Sequence, residues 1–180
     1  MKRMIPIVIT ALAISAGAFA QDQAAIDKAL LAAPAQLKAA ATVIKWKADY
    51  TYDTLKKGTG TLVCYDKGGL QGEPAFLAEC TSMGNLPRAA QNLKFEAMGA
   101  GKQAALDAAE KDGSRVKPEF GSVWYHAMND PANPRMHLTI AVPGATTQSL
   151  GLPDNAAAAK GGVWIMNAGT STAHLMTPGE

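Results

Sequence analysis

The sequence lacks the short motifs that identify the common enzyme classes. It contains no G-x-S-x-G, no H-E-x-x-H, no Walker-type phosphate loop and no G-x-G-x-x-G. Its two cysteines are not arranged as C-x-x-C, and it has only three histidines. These absences argue against the standard hydrolase, metalloprotease, nucleotide-binding and thiol-redox classes. They leave open an enzyme with dispersed catalytic residues, because a catalytic triad is defined by geometry and not by spacing.

Apolar runs long enough to cross a bilayer are also lacking. The first twenty residues have Lys2 and Arg3, an apolar run over residues 5–14, and Ala18-Phe19-Ala20 before Gln21. This pattern predicts a secretory signal peptide, residues 1–20, because its apolar run is too short for a membrane span. We therefore expect a single secreted domain over residues 21–180, located in the periplasm or outside the cell and without a membrane span.

Net charge is lacking once that segment is removed. Loss of Lys2 and Arg3 lowers the count of Lys and Arg from 17 to 15, which equals the 15 Asp and Glu residues. A neutral domain has no overall field that attracts nucleic acid, so we expect no nucleic-acid partner. A local basic patch is an alternative, but its lysines alternate with apolar residues and favour a solvated strand face: Lys45, Lys47, Lys56 and Lys57.

Cysteine is scarce, but its count is even. In an exported chain, Cys64 and Cys80 predict one disulfide, which closes a loop of fifteen intervening residues. In the chain-entropy model, a disulfide that closes a loop of that length stabilises the folded protein by roughly 3 kcal/mol.

The first half of the domain predicts a short helix followed by strands. Asp22 can cap a helix that runs through Leu31 and stops at Pro34. From Thr42 the apolar residues alternate with polar ones, which indicates strands with turns near Ala48 and Gly58. We expect these strands, up to Tyr65, to form a meander of sequential neighbours.

The second half predicts a helical pair and then more strands. Apolar residues with helical spacing begin at Leu86, and an alanine-rich helix over residues 102–111 precedes Gly113. Four strands follow, over residues 121–128, 136–142, 162–168 and 173–176. In the second of them we expect the even-numbered residues to face the core, and His137 and Thr139 to face out or towards a loop. The fold class is α+β, a single domain with a mainly antiparallel sheet, an N-terminal helix and a helical pair inserted between strands.

Four segments resemble a family of uncharacterised exported bacterial proteins. They are TLKKGTGTLVC, VKPEFGSVWYHAM, TIAVPGA and, most specific, GGVWIMNAGTSTAHLMTPGE. The resemblance implies secretion and a shared fold, but no catalytic role, because the family has no assigned activity. Many relatives have an acidic residue directly before the histidine that matches His174, whereas this chain has Ala173.

Two kinds of candidate site follow from the residues. A dispersed hydrolase site would combine His126 or His174 with serines and aspartates that are otherwise typical of turns: Ser122, Ser149, Ser171, Asp130 and Asp154. A metal site would use two His-x-Met pairs, His126 with Met128 and His174 with Met176. In a strand each pair points to one face, and imidazole with thioether donors suits copper(I) if the two strands are neighbours.

The bland alternative is that these methionines pack in the core and the histidines form ordinary hydrogen bonds. The tryptophans at 46, 124 and 164 are also more typical of a core than of an open binding face. The sequence therefore favours a non-enzymatic binding protein for a small ligand or an envelope partner, with copper as the only cofactor suggested. Copper binding and a dispersed hydrolase are the alternatives.

Overall fold

The computed structural model describes residues 12–178. Residues 1–11 of the predicted signal peptide lie outside this range. Among the described residues, no helix is both long and apolar enough to cross a membrane.

The helices follow the apolar periodicity of the sequence. Helix α2 buries Leu86 and Leu93 and has Pro87 in its first turn, where no backbone donor is needed. Helix α3 ends at Gly113, whose positive φ of 77° closes the helix in the left-handed conformation. The helices are α1 (Leu12–Ala29), α2 (Leu86–Glu96), α3 (Lys102–Asp112), α4 (Thr147–Leu150) and α5 (Ala156–Ala159).

The N-terminal helix starts earlier than the sequence predicted. Asp22 does not cap it, because α1 begins at Leu12 and runs through the predicted cleavage point after Ala20. Alanine-rich sequence on both sides of that point favours one continuous helix in the uncleaved chain. Two 3-10 turns, Leu30–Ala32 and Ala35–Leu37, then lead into the sheet.

The described strands form one mostly antiparallel sheet, which confirms the α+β fold class. Its order is β2-β1-β3-β4-β5-β6-β8-β7, and only β1 and β3 pair in parallel. The strands are β1 (Thr42–Trp46), β2 (Tyr52–Lys56), β3 (Leu62–Asp66), β4 (Leu77–Ser82), β5 (Val123–Met128), β6 (Arg135–Ala141), β7 (Trp164–Met166) and β8 (His174–Met176).

The predicted meander of β1, β2 and β3 is wrong. The segment between β2 and β3 passes the start of β1, so β3 lies on the side of β1 opposite to β2. This crossing is tight: Thr59 and Gly60 both donate to the Ala40 carbonyl, and a Cβ on Gly58 would lie 2.2 Å from the same oxygen. Glycine at position 58 therefore permits the close approach that makes β1 and β3 parallel neighbours.

Helical segments pack on both faces of the sheet. We name the faces after the helix that covers each. The α1 face packs small residues, among them Ala78 and Ala127, against Ala29 and Ala32 of the N-terminal helical segment. The α2 face packs Ile44, Trp46, Tyr65 and Trp124 against Leu86, Ala89 and Leu93. Trp46 and Trp124 are buried, as the core interpretation of the tryptophans predicted, whereas Trp164 is only half-buried.

The disulfide joins the middle of the sheet. Cys64 in β3 and Cys80 in β4 are register partners, fully buried on the α1 face and bonded to each other. The predicted disulfide is therefore confirmed. Strand β4 itself was not predicted, because the glycine-rich sequence before it suggested a loop that continued to the helix.

The predicted facing of the segment over residues 136–142 is confirmed for Val142, which is buried, but is wrong for Met136. Met136 is 38% exposed, and Leu138 and Ile140 are only half-buried. These residues lie on the α1 face, where the N-terminal helical segment packs mainly on β1 to β5. The other side of β6, with His137, Thr139 and Ala141, belongs to the α2 face and is no more exposed.

Candidate functional site

A cavity of about 410 Å³ lies on the α2 face, between strands β4 to β8 and helix α2. Its wall contains all four predicted metal ligands together with the third histidine: His126, Met128, His137, His174 and Met176. Met166 from β7 also lines it, so three thioethers and three imidazoles share one space. The strand alternation explains this collection, because register partners on neighbouring strands project from the same face.

The strands that carry the two His-x-Met pairs are not neighbours. Strand β6 lies between β5 and β8, so the adjacency on which the copper prediction depended is wrong. Across β6, His126 faces His137, while Thr139 faces Met176 and Ala141 faces His174. A two-residue offset therefore places Met176 diagonally from His137, at a distance that long side chains span.

His137 is the site residue that the sequence interpretation missed. Its ring stacks on that of His126 with 5.8 Å between the ring centroids. Its Nδ1 atom is buried and has no hydrogen-bond partner among the described residues. Burial, and then the nearby His126, Arg135 and His174, lower the pKa of His137, so its ring is neutral at pH 7. The only signal for His137 in the sequence was its alternation with Met136 and Leu138. That alternation predicted that His137 faces out or towards a loop, whereas it lines the cavity.

Hydrogen bonds set the orientation of the other two rings. His174 Nδ1 lies 2.8 Å from the Thr172 carbonyl, and a carbonyl only accepts, so Nδ1 donates. His126 Nδ1 lies 3.3 Å from the Glu79 carboxylate and donates in the same way. In the neutral ring this leaves Nε2 with a free lone pair, the arrangement found in metal-binding histidines. Burial also lowers the pKa of His174, which keeps that ring neutral at pH 7.

A buried ionic cluster supports this wall. The Lys67 ammonium lies 2.8 Å from Glu73 Oε1 and 2.9 Å from Glu79 Oε1. Burial by itself would raise the pKa of Glu79, but Lys67 and then His126 lower it well below its usual value. Burial by itself would lower the pKa of Lys67, but Glu79 and Glu73 raise it above its usual value. Burial raises the pKa of Glu73, although Lys67 acts in the opposite direction. Lys67 and Glu79 are therefore charged at neutral pH, and the Glu79 carboxylate lies beside His126.

The residues of the dispersed hydrolase hypothesis are bound to local partners. The Ser122 hydroxyl donates to the Glu119 carbonyl, and Ser149 forms a capping box with Thr146. Ser171 donates through both its amide and its hydroxyl to Glu110. Asp130 and Asp154 accept from Ala132 and Asn155, which are turn contacts. The structure thus gives each of these residues a structural partner outside the histidine cavity.

The donor types restrict which metal fits. Within residues 12–178, no group of three or more His, Cys, Asp or Glu side chains is arranged to hold a metal ion. The other metal-binding donors in the cavity wall are the thioethers of Met128, Met166 and Met176. Thioether ligands suit soft ions such as copper(I). Comparison of the chain with protein-family models, curated proteins and solved structures finds no match.

Proposed function

We propose that this chain is an exported, non-enzymatic binding protein whose cavity on the α2 face binds copper(I). The observation that carries the proposal is that three imidazoles and three thioethers line one cavity. The proposal of export rests on the signal-like residues 1–20, on the resemblance to exported proteins, and on a disulfide that suits an oxidising compartment. A small organic ligand or an envelope partner is the alternative occupant.

The ligand set begins with His126 and His137. Their centroid separation of 5.8 Å suits rings that share one ion, since imidazoles bound at about 2.0 Å from a metal have centroids roughly 5 to 6 Å apart. Because the rings are stacked, binding of one ion by a nitrogen of each ring requires one ring to rotate about its Cα–Cβ bond. Met176 lies diagonally across from His137 and supplies a thioether, while His174 and Met128 complete the wall.

The carboxylate beside these ligands favours a cation. The ionised Glu79 contacts His126 directly and is also bound by the Lys67 ammonium. A carboxylate that accepts from the far nitrogen of an imidazole raises the basicity of the ligating nitrogen. This chain has Ala173 where many relatives have an acidic residue beside the histidine that matches His174. It has a carboxylate-histidine pair at another place, Glu79 with His126.

Titration of copper(I) against a chelator tests the proposal. The protein is exported to a periplasm, its mass shows whether cleavage occurs after Ala20, and copper(I) is kept reduced with ascorbate, which leaves the disulfide intact. We expect one bound ion per chain in competition with bicinchoninate. The His137→Ala variant should bind at least about tenfold more weakly, since one ligand is lost.

Met136→Leu is the matched control, because Met136 is adjacent in the same strand but lies on the opposite face. It should bind copper(I) as the parent does. Failure of the parent to compete with the chelator would remove the copper proposal. Equal affinity of the His137→Ala and parent proteins would place the metal elsewhere. Binding of a small organic molecule without copper would support the alternative.

A further inference from the structure

A second cavity, of about 390 Å³, lies between helices α2 and α3 and the loop over residues 167–172. Two arginines line it, Arg88 from α2 and Arg115 from the segment after α3. Arg88 also lines the histidine cavity, so the two spaces are adjacent. The features described below concern this second cavity and do not depend on copper.

Both guanidinium groups are withdrawn from water without a carboxylate partner. Arg88 is 4% exposed and Arg115 is 6% exposed. Within the described part of the chain, neither group lies within 4.0 Å of a carboxylate oxygen. Burial, and then Arg115, lower the pKa of Arg88 to about 10, while the more distant Glu110 acts in the opposite direction. Buried charges are ordinarily paired with an opposite charge, so this pair of cations is unusual.

The protein uses only part of their hydrogen-bonding capacity. Arg88 donates to the Val116 carbonyl and to the Thr172 hydroxyl. Arg115 donates to the side-chain oxygens of Gln91 and Asn92, and its Nε is buried without a partner. Each guanidinium has five N–H donors in a fork that matches carboxylate and phosphate oxygens. Both residues line the cavity, and each therefore keeps N–H donors that the described residues do not use.

The carboxylates of the same wall have partners of their own. Glu96 is bound by the Lys102 ammonium, Glu110 by Ser171, and Asp107 by Gln103. Hydrogen bonds from Ser171 lower the pKa of Glu110, so this carboxylate is occupied and charged. The arginines are thus left as the cations of the cavity that lack a direct anionic contact.

We infer that this second cavity binds a small organic anion whose carboxylate or phosphate group is held by Arg88 and Arg115. The cavity is larger than a bare anion requires and lies in the size range of small-molecule sites. Phe95 and Leu106 in its wall give the body of such a ligand an apolar contact, and Arg115 lies 4.9 Å above the Phe95 ring.

Calorimetric titration of the exported full chain with inorganic phosphate, and separately with succinate, tests this inference and distinguishes the two anion types. Both titrations are run at low ionic strength. A titration with sodium chloride of equal ionic strength serves as the blank. We expect saturable binding of one molecule per chain for at least one of them. Arg88→Lys keeps the charge but loses the fork, and should weaken binding by about tenfold. Arg135→Gln, which removes an exposed arginine of β6, should leave it unchanged.

A second pair of variants covers the case in which the arginine variants fail to fold. Asp107→Asn removes a negative charge from the cavity wall and should tighten anion binding by roughly threefold. Asp53→Asn removes an exposed carboxylate of β2 and should have no effect. If neither anion binds saturably, or if Asp107→Asn and Asp53→Asn behave alike, the arginines serve only to hold the Val116 and Thr172 segments and the inference is overturned.

Discussion

The two faces of the sheet differ in chemistry although they belong to the same strands. Neighbouring positions in β3 and β4 show this directly: Cys64 pairs with Cys80 on the α1 face, and Tyr65 pairs with Glu79 on the α2 face. On the α1 face the buried side chains are mostly alanine, so the N-terminal helical segment approaches the sheet closely. On the α2 face the buried residues are large or charged, and helix α2 leaves a cavity beside them.

This contrast separates a closely packed face from a face with a cavity. Small residues in close contact form a tightly packed layer, in which any added volume is felt. Histidines and ionic groups are costly to bury, and their position beside a cavity is typical of a ligand site. The α1 face therefore anchors the strands, and the α2 face of β5, β6 and β8 carries the candidate site.

The largest effect should come from breaking the ionic cluster of the α2 face. Glu79→Gln keeps the shape of the side chain but removes the charge that Lys67 and His126 contact. We expect the free energy of unfolding to fall by about 3 to 5 kcal/mol, the range for a buried pair that loses one partner. Urea denaturation measures this free energy. The control is Asp53→Asn, which breaks the exposed pair Lys47–Asp53 and should change the free energy of unfolding by less than about 1 kcal/mol.

The same variant has a defined pH dependence. Because the pKa of Glu79 is lowered in the folded protein, its stabilising contribution is complete above the unfolded value of about 4.3. It is lost as the pH falls from there through the lowered folded pKa. The difference between parent and Glu79→Gln should therefore be constant from pH 6 to pH 5 and shrink at more acidic pH. A difference that stays the same in acid would show that the lowered pKa is not the cause.

The next effect concerns the crosslink on the α1 face. Replacement of both Cys64 and Cys80 by alanine should lower the free energy of unfolding by about 3 kcal/mol, because the open loop regains conformational entropy in the unfolded chain. The intact mass of the parent should be lower than that of its fully reduced form by the hydrogens lost in oxidation. Thiol labelling of both cysteines in protein from its own compartment would contradict the crosslink.

The smallest effect compares added volume on the two faces. Ala78→Leu should cost about 1 to 3 kcal/mol, since Ala78 is fully buried against the helical layer. Thr139→Leu, which enlarges a half-buried residue in the wall of the cavity, should change stability by less than about 1 kcal/mol because the cavity accepts the side chain. Thermal denaturation of both variants measures this, and equal costs would mean that the α2 face is packed as tightly as the α1 face.

Local patterns predicted much of the secondary structure but little of its arrangement. Alternation located β1 to β3 and β5 to β8, and helical spacing located α2 and α3, because these signals depend only on neighbouring residues. Strand β4 was missed because Leu77–Ser82 follows a glycine-rich loop and does not alternate clearly in polarity. One of the three residues of the ionic cluster was missed with it, since Glu79 lies in that strand. Lys67 and Glu73 were hidden in what seemed an ordinary loop.

The sequence by itself determined the predicted export signal, the fold class, the disulfide and the choice of His126, Met128, His174 and Met176 as candidate ligands. Each of these depends on residue type, count or short spacing. Tertiary structure alone decided that β3 lies beside β1, that β6 separates β5 from β8, and that His137 and Glu79 join the site. The physical reason is that strand order and facing are set by which surface each helix covers and by close contacts such as Gly58 against Ala40. Those contacts connect residues far apart in the chain, so no local pattern records them.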